Sequence, residues 1–193
     1  KEDVIYRSGA KDTDLICVSG NLGAAYCGLQ LLEREKSVYY MQLQEARKKN
    51  KDAVVDFQPD FSGREYLLER QLQPEARGDI LKTLRQAGVR PTSMIDISDG
   101  LSSEIMHICK ESDTGCRLFE KEIPIDYQTA VMAEEMNMNL STCALNGGED
   151  YELLFTCPIG DYEKVKVLDD IRIIGHITKK ELGTLLVTRD GQE

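Results

Sequence analysis

Six short β-rich runs are spread along the chain, and each stops at glycine, proline or charge: "DLICVSG", "SMIDI", "CRLFEKEIPI", "YELLFTCPI", "IRIIGHITKK" and "GTLLVTRDG". Runs this short build sheets only by pairing with distant partners. Between them lie stretches whose apolar residues recur at helical spacing. "NLGAAYCGLQLLEREK" places Leu22, Ala25, Leu29 and Leu32 on one stripe. "SDGLSSEIMHICKES" does the same with Leu101, Ile105, Ile108 and Cys109. "REYLLERQLQ", "DYQTAVMAEEMN" and "GDYEKVKVLDD" read as further short helices. Pro74 stands at a first-turn position of "PEARGDILKTLRQAG", with Gly88 as its C-terminal cap. Strands and helices mix along the whole length without a repeat. The pattern predicts one α+β domain with a mixed sheet over residues 1–193. Residues 38–63, with the charge run "ARKKNKD" and the breakers of "FQPDFSG", read as an inserted helical excursion.

Charge narrows the possible partners. The chain of 193 residues has a formal net charge of -10, so a general basic surface for nucleic acid is excluded. A phosphate site on such a chain has to be local or carry a bridging cation. The apolar runs are too short to span a bilayer, and no signal-like segment opens the chain. Six cysteines stand at 17, 27, 109, 116, 143 and 157, none in a CxxC pair, and only His107 and His176 accompany them. Zinc is therefore not expected. Their apolar surroundings read as reduced, buried thiols of a cytosolic protein. The polar start "KEDVIYRSGAKDTD" and the stop directly after a strand-like run read as ends cut from something longer.

"MIDISDGL", residues 94–101, sets Asp96 and Asp99 where a strand gives way to a helix. A helix start offers unpaired N–H groups and the positive end of a dipole, which favour phosphate oxygens. Ser98 adds a hydroxyl donor. The two carboxylates oppose a bare phosphate but suit a magnesium ion placed between them and phosphate. The same spacing also serves a simpler purpose, with Ser98 or Asp99 as an N-cap and Asp96 as a turn residue.

"LNGGEDYELLF", residues 145–155, crowds Glu149, Asp150 and Glu152 behind two glycines. Like charges so close call for a cation or a cationic ligand nearby; a hairpin turn leading into a half-wet strand is the plainer alternative. "VSGNLGAAYCG" spaces its glycines as GxxGxxxxG, which is not a dinucleotide fingerprint and points to close packing. Arg7 in "YRSGAK" reads by itself as solvated, and His107 as a packed histidine near the apolar face of its helix.

"RSGAKDTDLICVSGNLGAAYCGL", "LQPEAR", "MIDISDGLSSEIMHI" and "NGGEDYELLFT" occur in that order. Together they resemble the C-terminal domain of bacterial thiamine-monophosphate kinases, in the superfamily of aminoimidazole ribonucleotide synthetase. The resemblance runs from Arg7 to about Gly183. "DxSDG" recurs more loosely among relatives, whereas "GGEDYEL" at this place is specific to the thiamine-phosphate kinases. The resemblance implies an ATP-dependent phosphotransferase that makes thiamine diphosphate from thiamine monophosphate with several Mg2+ ions, by direct in-line transfer. It implies a mixed sheet of about six strands with helices mainly on one face. It implies Asp96 and Asp99 as metal ligands, Arg7 and Ser98 as nucleotide contacts, and Glu149 as a substrate contact. The family is cytoplasmic and homodimeric at full length. Its N-terminal domain and its extreme C-terminal aromatic have no counterpart in this sequence, so the chain alone is expected to be inactive. The competing expectations are a superfamily enzyme acting on a purine precursor, selenide or a hydrogenase-maturation substrate, and a non-catalytic domain of the same fold.

Overall fold

A computed structural model describes residues 4–192; Lys1–Asp3 and Glu193, on which the reading of cut ends partly falls, lie outside it. β1 (Leu15–Ser19) forms where an apolar run allows both sides of a strand to be buried, and all five of its residues are. Ile16 and Val18 point to one face of the sheet, Leu15 and Cys17 to the other. It pairs antiparallel with β4 (Leu153–Cys157) and with β5 (Ile171–Lys179), so it lies near the middle of the sheet. β2 (Ser93–Asp96) adds to β4, β3 (Thr114–Phe119) to β5, and β6 (Thr184–Val187) runs parallel to β3 at the far edge. The order β2-β4-β1-β5-β3-β6 is a six-stranded mixed sheet, as expected.

On one face, α4 (Leu101–Ser112) packs Leu101, Ile105, Ile108 and Cys109 against Ile16, Val18 and Ile174, as the periodicity predicts. The other face is sealed by α3 (Gly78–Gln86) through Ile80 and Leu84, and by the short α7 (Tyr162–Val165) through Val165. A third cluster joins α1 (Ala24–Lys49), α2 (Glu65–Leu72), α5 (Tyr127–Glu135) and α6 (Leu140–Asn146) around Leu31, Leu67, Met132 and Cys143. The backbone of α2 at Leu67 runs so close to Gly28 that a side chain there has no room, and Gly23, at φ 82°, lies less tightly against α6. Close packing thus accounts for these glycines.

Several expectations change. The excursion is helical only as far as Lys49, inside the charge run, where the 26-residue α1 ends; its last turn carries Arg47, Lys48 and Lys49, which complement the helix dipole. Pro74 does not open α3, which begins at Gly78. α6, unforeseen, is capped by the Asn139 side chain, which accepts from Thr142 N–H at 2.9 Å. His107 is exposed, not packed. All six cysteines are free and buried. No helix among the described residues is long and apolar enough to cross a membrane.

Candidate active site

Three backbone hydrogen bonds carry the β2–β4 ladder past the ends of the strands. Ile97 N–H donates to Glu152 O (2.8 Å), Tyr151 N–H to Ile97 O (2.9 Å), and Glu149 N–H to Ser98 O (2.8 Å). This zips the "DISDG" turn to the "GGED" loop over residues distant in sequence. Gly148 lets the two come together, because a Cβ there would lie 2.5 Å from Ser98 O. Asp96, Asp99 and Glu149 are all exposed at this one sheet edge. Their proximity shows in Tyr151. Its hydroxyl pKa is raised, first by a hydrogen bond to Glu149 (3.1 Å), then by the charge of Glu149, by burial, and by the charges of Asp96 and Asp99.

Arg7 reaches the same strand. Met94 N–H donates to Tyr6 O at 2.9 Å, so the entry segment lies along the outer side of β2, with exposed Arg7 next in sequence. The entry segment, the "DISDG" turn and the "GGED" loop therefore meet along β2.

The helix start differs from the capping alternative. The N-cap of α4 is Gly100 at φ 114°, a backbone state that excludes Ser98 and Asp99 from the role. Buried Glu104 reaches back instead, and its Oε1 accepts from Asp99 N–H (3.2 Å) and from the Ser98 hydroxyl (3.3 Å). Half-buried Ser98 thus gives its proton inward and presents lone pairs outward, rather than the donor expected from sequence.

The structure separates the three acids that sequence left equivalent. Asp150 is 1% exposed and caps α1: Gly23 N–H donates to Oδ2 (2.7 Å) and Ala25 N–H to Oδ1 (3.2 Å). Glu152, also 1% exposed, is held by Arg70 (3.0 Å), by Arg77 and by the Ser19 hydroxyl, which in turn accepts from Leu153 N–H at 2.8 Å. Arg70 also donates to Asp150 O at 2.9 Å. Both acids are anchors of the loop, and Glu149 is left as the one facing solvent. Arg77 and Glu104 were within reach of sequence reasoning, since "LQPEAR" and "MIDISDGLSSEIMHI" contain them; Arg70 carried no comparable signal.

Burial pushes the Asp150 carboxyl up to about 6, against the opposing pull of the Gly23 and Ala25 N–H groups and of Arg70. An unfolded aspartate titrates near about 3.9, so the native state holds this proton more tightly. The resulting stabilisation is full below about pH 4 and is lost as pH rises through about 6. Asp150→Asn is expected to flatten that slope. Thermal midpoints of both proteins between pH 4 and 8 check this; parallel profiles would contradict it.

Two larger cavities, about 390 and 530 Å³, lie elsewhere, one against Ile5, Leu84 and Val89 and the other beside His176 and Thr178. Among the described residues no three His, Cys, Asp or Glu side chains converge as a ready cation cage. Asp96 and Asp99 carry no side-chain hydrogen bond or ion pair there, and so are free to receive external ligands.

No family model matches the chain. The thiamine-monophosphate kinase of Aquifex aeolicus is 30% identical over 180 residues, which cover 93% of this chain and 50% of that protein. Among solved structures, AaThiL complexed with AMPPCP and TMP superposes with a TM-score of 0.71 at 30% identity, over 98% of this chain and 51% of that one. HypE, a hydrogenase maturation protein of E. coli, superposes with a TM-score of 0.64 at 15% identity, which speaks for the fold alone. By sequence and by fold the chain is similar to thiamine-monophosphate kinases, and it spans about half the length of the curated relatives it matches.

Proposed function

We propose that the chain is the single C-terminal domain of a thiamine-monophosphate kinase. Such an enzyme moves the γ-phosphoryl group of ATP to thiamine monophosphate, releasing thiamine diphosphate and ADP. The observation that carries this is the zipped edge: two unbonded aspartates at a strand–helix turn, side by side with one solvent-facing glutamate.

Phosphoryl transfer asks little covalent chemistry of a protein, mainly positioning and charge neutralisation. The donor set of Asp96 and Asp99 fits Mg2+, a hard cation that takes carboxylate oxygens and completes its shell with water and phosphate. When bound, magnesium neutralises phosphate charge that this acidic edge would repel. Arg7, beside β2, supplies a cation for the nucleotide phosphates. Ser98, its proton turned inward, accepts from a hydroxyl, amine or water of the nucleotide complex. Glu149, oriented by Tyr151, faces the thiazolium cation of the substrate. The exposed edge receives the family's N-terminal domain, in a cytoplasmic homodimer at full length, with neither nucleic acid nor membrane as partner. The isolated chain is inactive because half of the site lies in that domain.

A substrate panel tests the reading. A protein of the relatives' full length carrying this domain is given ATP, Mg2+ and either thiamine monophosphate, a purine-pathway precursor or selenide. Phosphorylation of thiamine monophosphate alone supports it. Turnover of another substrate instead would shift the assignment within the superfamily, with the "GGED" loop a shared structural element.

A further inference from the structure

We infer that Glu104 is a positioning residue whose buried charge strengthens the hold of the 96–99 turn on a divalent cation. The inference rests on the reading of this edge as a cation site. Glu104 stands in the first turn of α4 and is 2% exposed. One carboxylate oxygen is spent on the turn, through Asp99 N–H and the Ser98 hydroxyl. The other, Oε2, is enclosed and has no hydrogen-bond partner.

Such a group is costly where it stands. A buried carboxylate with one oxygen unsatisfied opposes folding unless a positive charge compensates. Asp96 and Asp99 lie on the turn that Glu104 bonds, so a further negative charge stands behind theirs. Among the described residues none of the three bonds to a lysine or arginine. The positive end of the α4 dipole offsets only part of the repulsion. A divalent cation on the turn would relieve the rest, and Glu104 would add to its attraction from beneath without touching it.

The geometry also gives Glu104 a steering role. By fixing the Asp99 amide and the Ser98 hydroxyl, it holds the backbone between the two aspartates in one conformation. Supports of this kind typically change metal affinity ten- to a hundredfold when removed.

Glu104→Gln separates charge from shape, since the amide keeps the size and an acceptor for Asp99 N–H. The experiment is titration of a protein of the relatives' full length carrying this domain with Mn2+, following free ion by electron paramagnetic resonance, with a thermal midpoint for each variant. The expected result is a rise of about tenfold in the Mn2+ dissociation constant, with the midpoint unchanged or higher. An unchanged dissociation constant overturns the inference, and so does a variant that fails to fold, because the charge is argued to oppose stability. Asp96→Asn runs beside it. If that variant loses Mn2+ while Glu104→Gln does not, the cation reading stands and this inference falls. A full-length wild-type protein that binds no Mn2+ overturns both.

Discussion

Asp96→Asn in a full-length protein is expected to lower turnover by at least about a hundredfold, while its thermal midpoint stays within about a degree or two. Asp96 ends β2 with an exposed side chain and no partner among the described residues, so its replacement removes little that holds the fold together. Surface changes of this kind usually fall within about 0.5 kcal/mol. What the substitution removes is one of the two charges available to a cation at this turn. The loss should therefore appear in turnover and in the Mg2+ concentration needed for it, and binding of metal-free nucleotide should be no weaker, because a charge that repels phosphate is gone. Turnover equal to that of the wild type would take the metal role away from this residue.

The largest effect on stability is expected at Arg70. Arg70→Ala should cost on the order of 3 kcal/mol, near the lower end for breaking a buried ion pair. Its guanidinium meets Glu152 at 3.0 Å and Asp150 O at 2.9 Å, tying α2 to the "GGED" loop at both anchoring acids. Without it, buried Glu152 retains Arg77 and Ser19, which is why the cost stays at the low end. Asp150 loses its one nearby cation while still buried. Urea unfolding read by circular dichroism measures the difference, with the slope showing whether the transition stays two-state. A loss below about 1 kcal/mol would mean that Arg77 alone neutralises the loop. Since the same loop presents Glu149, substrate affinity should fall with stability.

The strands were legible because each apolar run is short and ends in a breaker; β1, β4 and β5 begin and end within a few residues of the quoted stretches. The outer half of α1 was not. Over "SVYYMQLQEARKK" few side chains are buried, so no clean apolar stripe joins this stretch to the helix before it, and it read as a separate excursion. α6 was missed because its seven residues are too few for periodicity, leaving only the Asn139 cap as a signal. At the site, acids beside glycines drew attention to the right stretches. Their roles depended on partners far along the chain. Asp150 is read from Gly23 and Ala25, Glu152 from Arg70 and Arg77, and none of these pairings has a local signature. The N-cap alternative at Ser98 or Asp99 failed for a related reason. Gly100 at φ 114° takes the cap position, and Glu104 supplies the bonds from within the helix.

We propose that the turn and the loop form one site, with the cation at the aspartates and the thiamine substrate at Glu149. The most direct measurement is steady-state thiamine diphosphate formation by a full-length protein carrying Glu149→Gln, with each substrate varied in turn. The account predicts a KM for thiamine monophosphate raised about tenfold or more, with the KM for ATP little changed, because only the contact with the cationic ring is lost. An unchanged KM for thiamine monophosphate, or an equal rise for ATP, would contradict it.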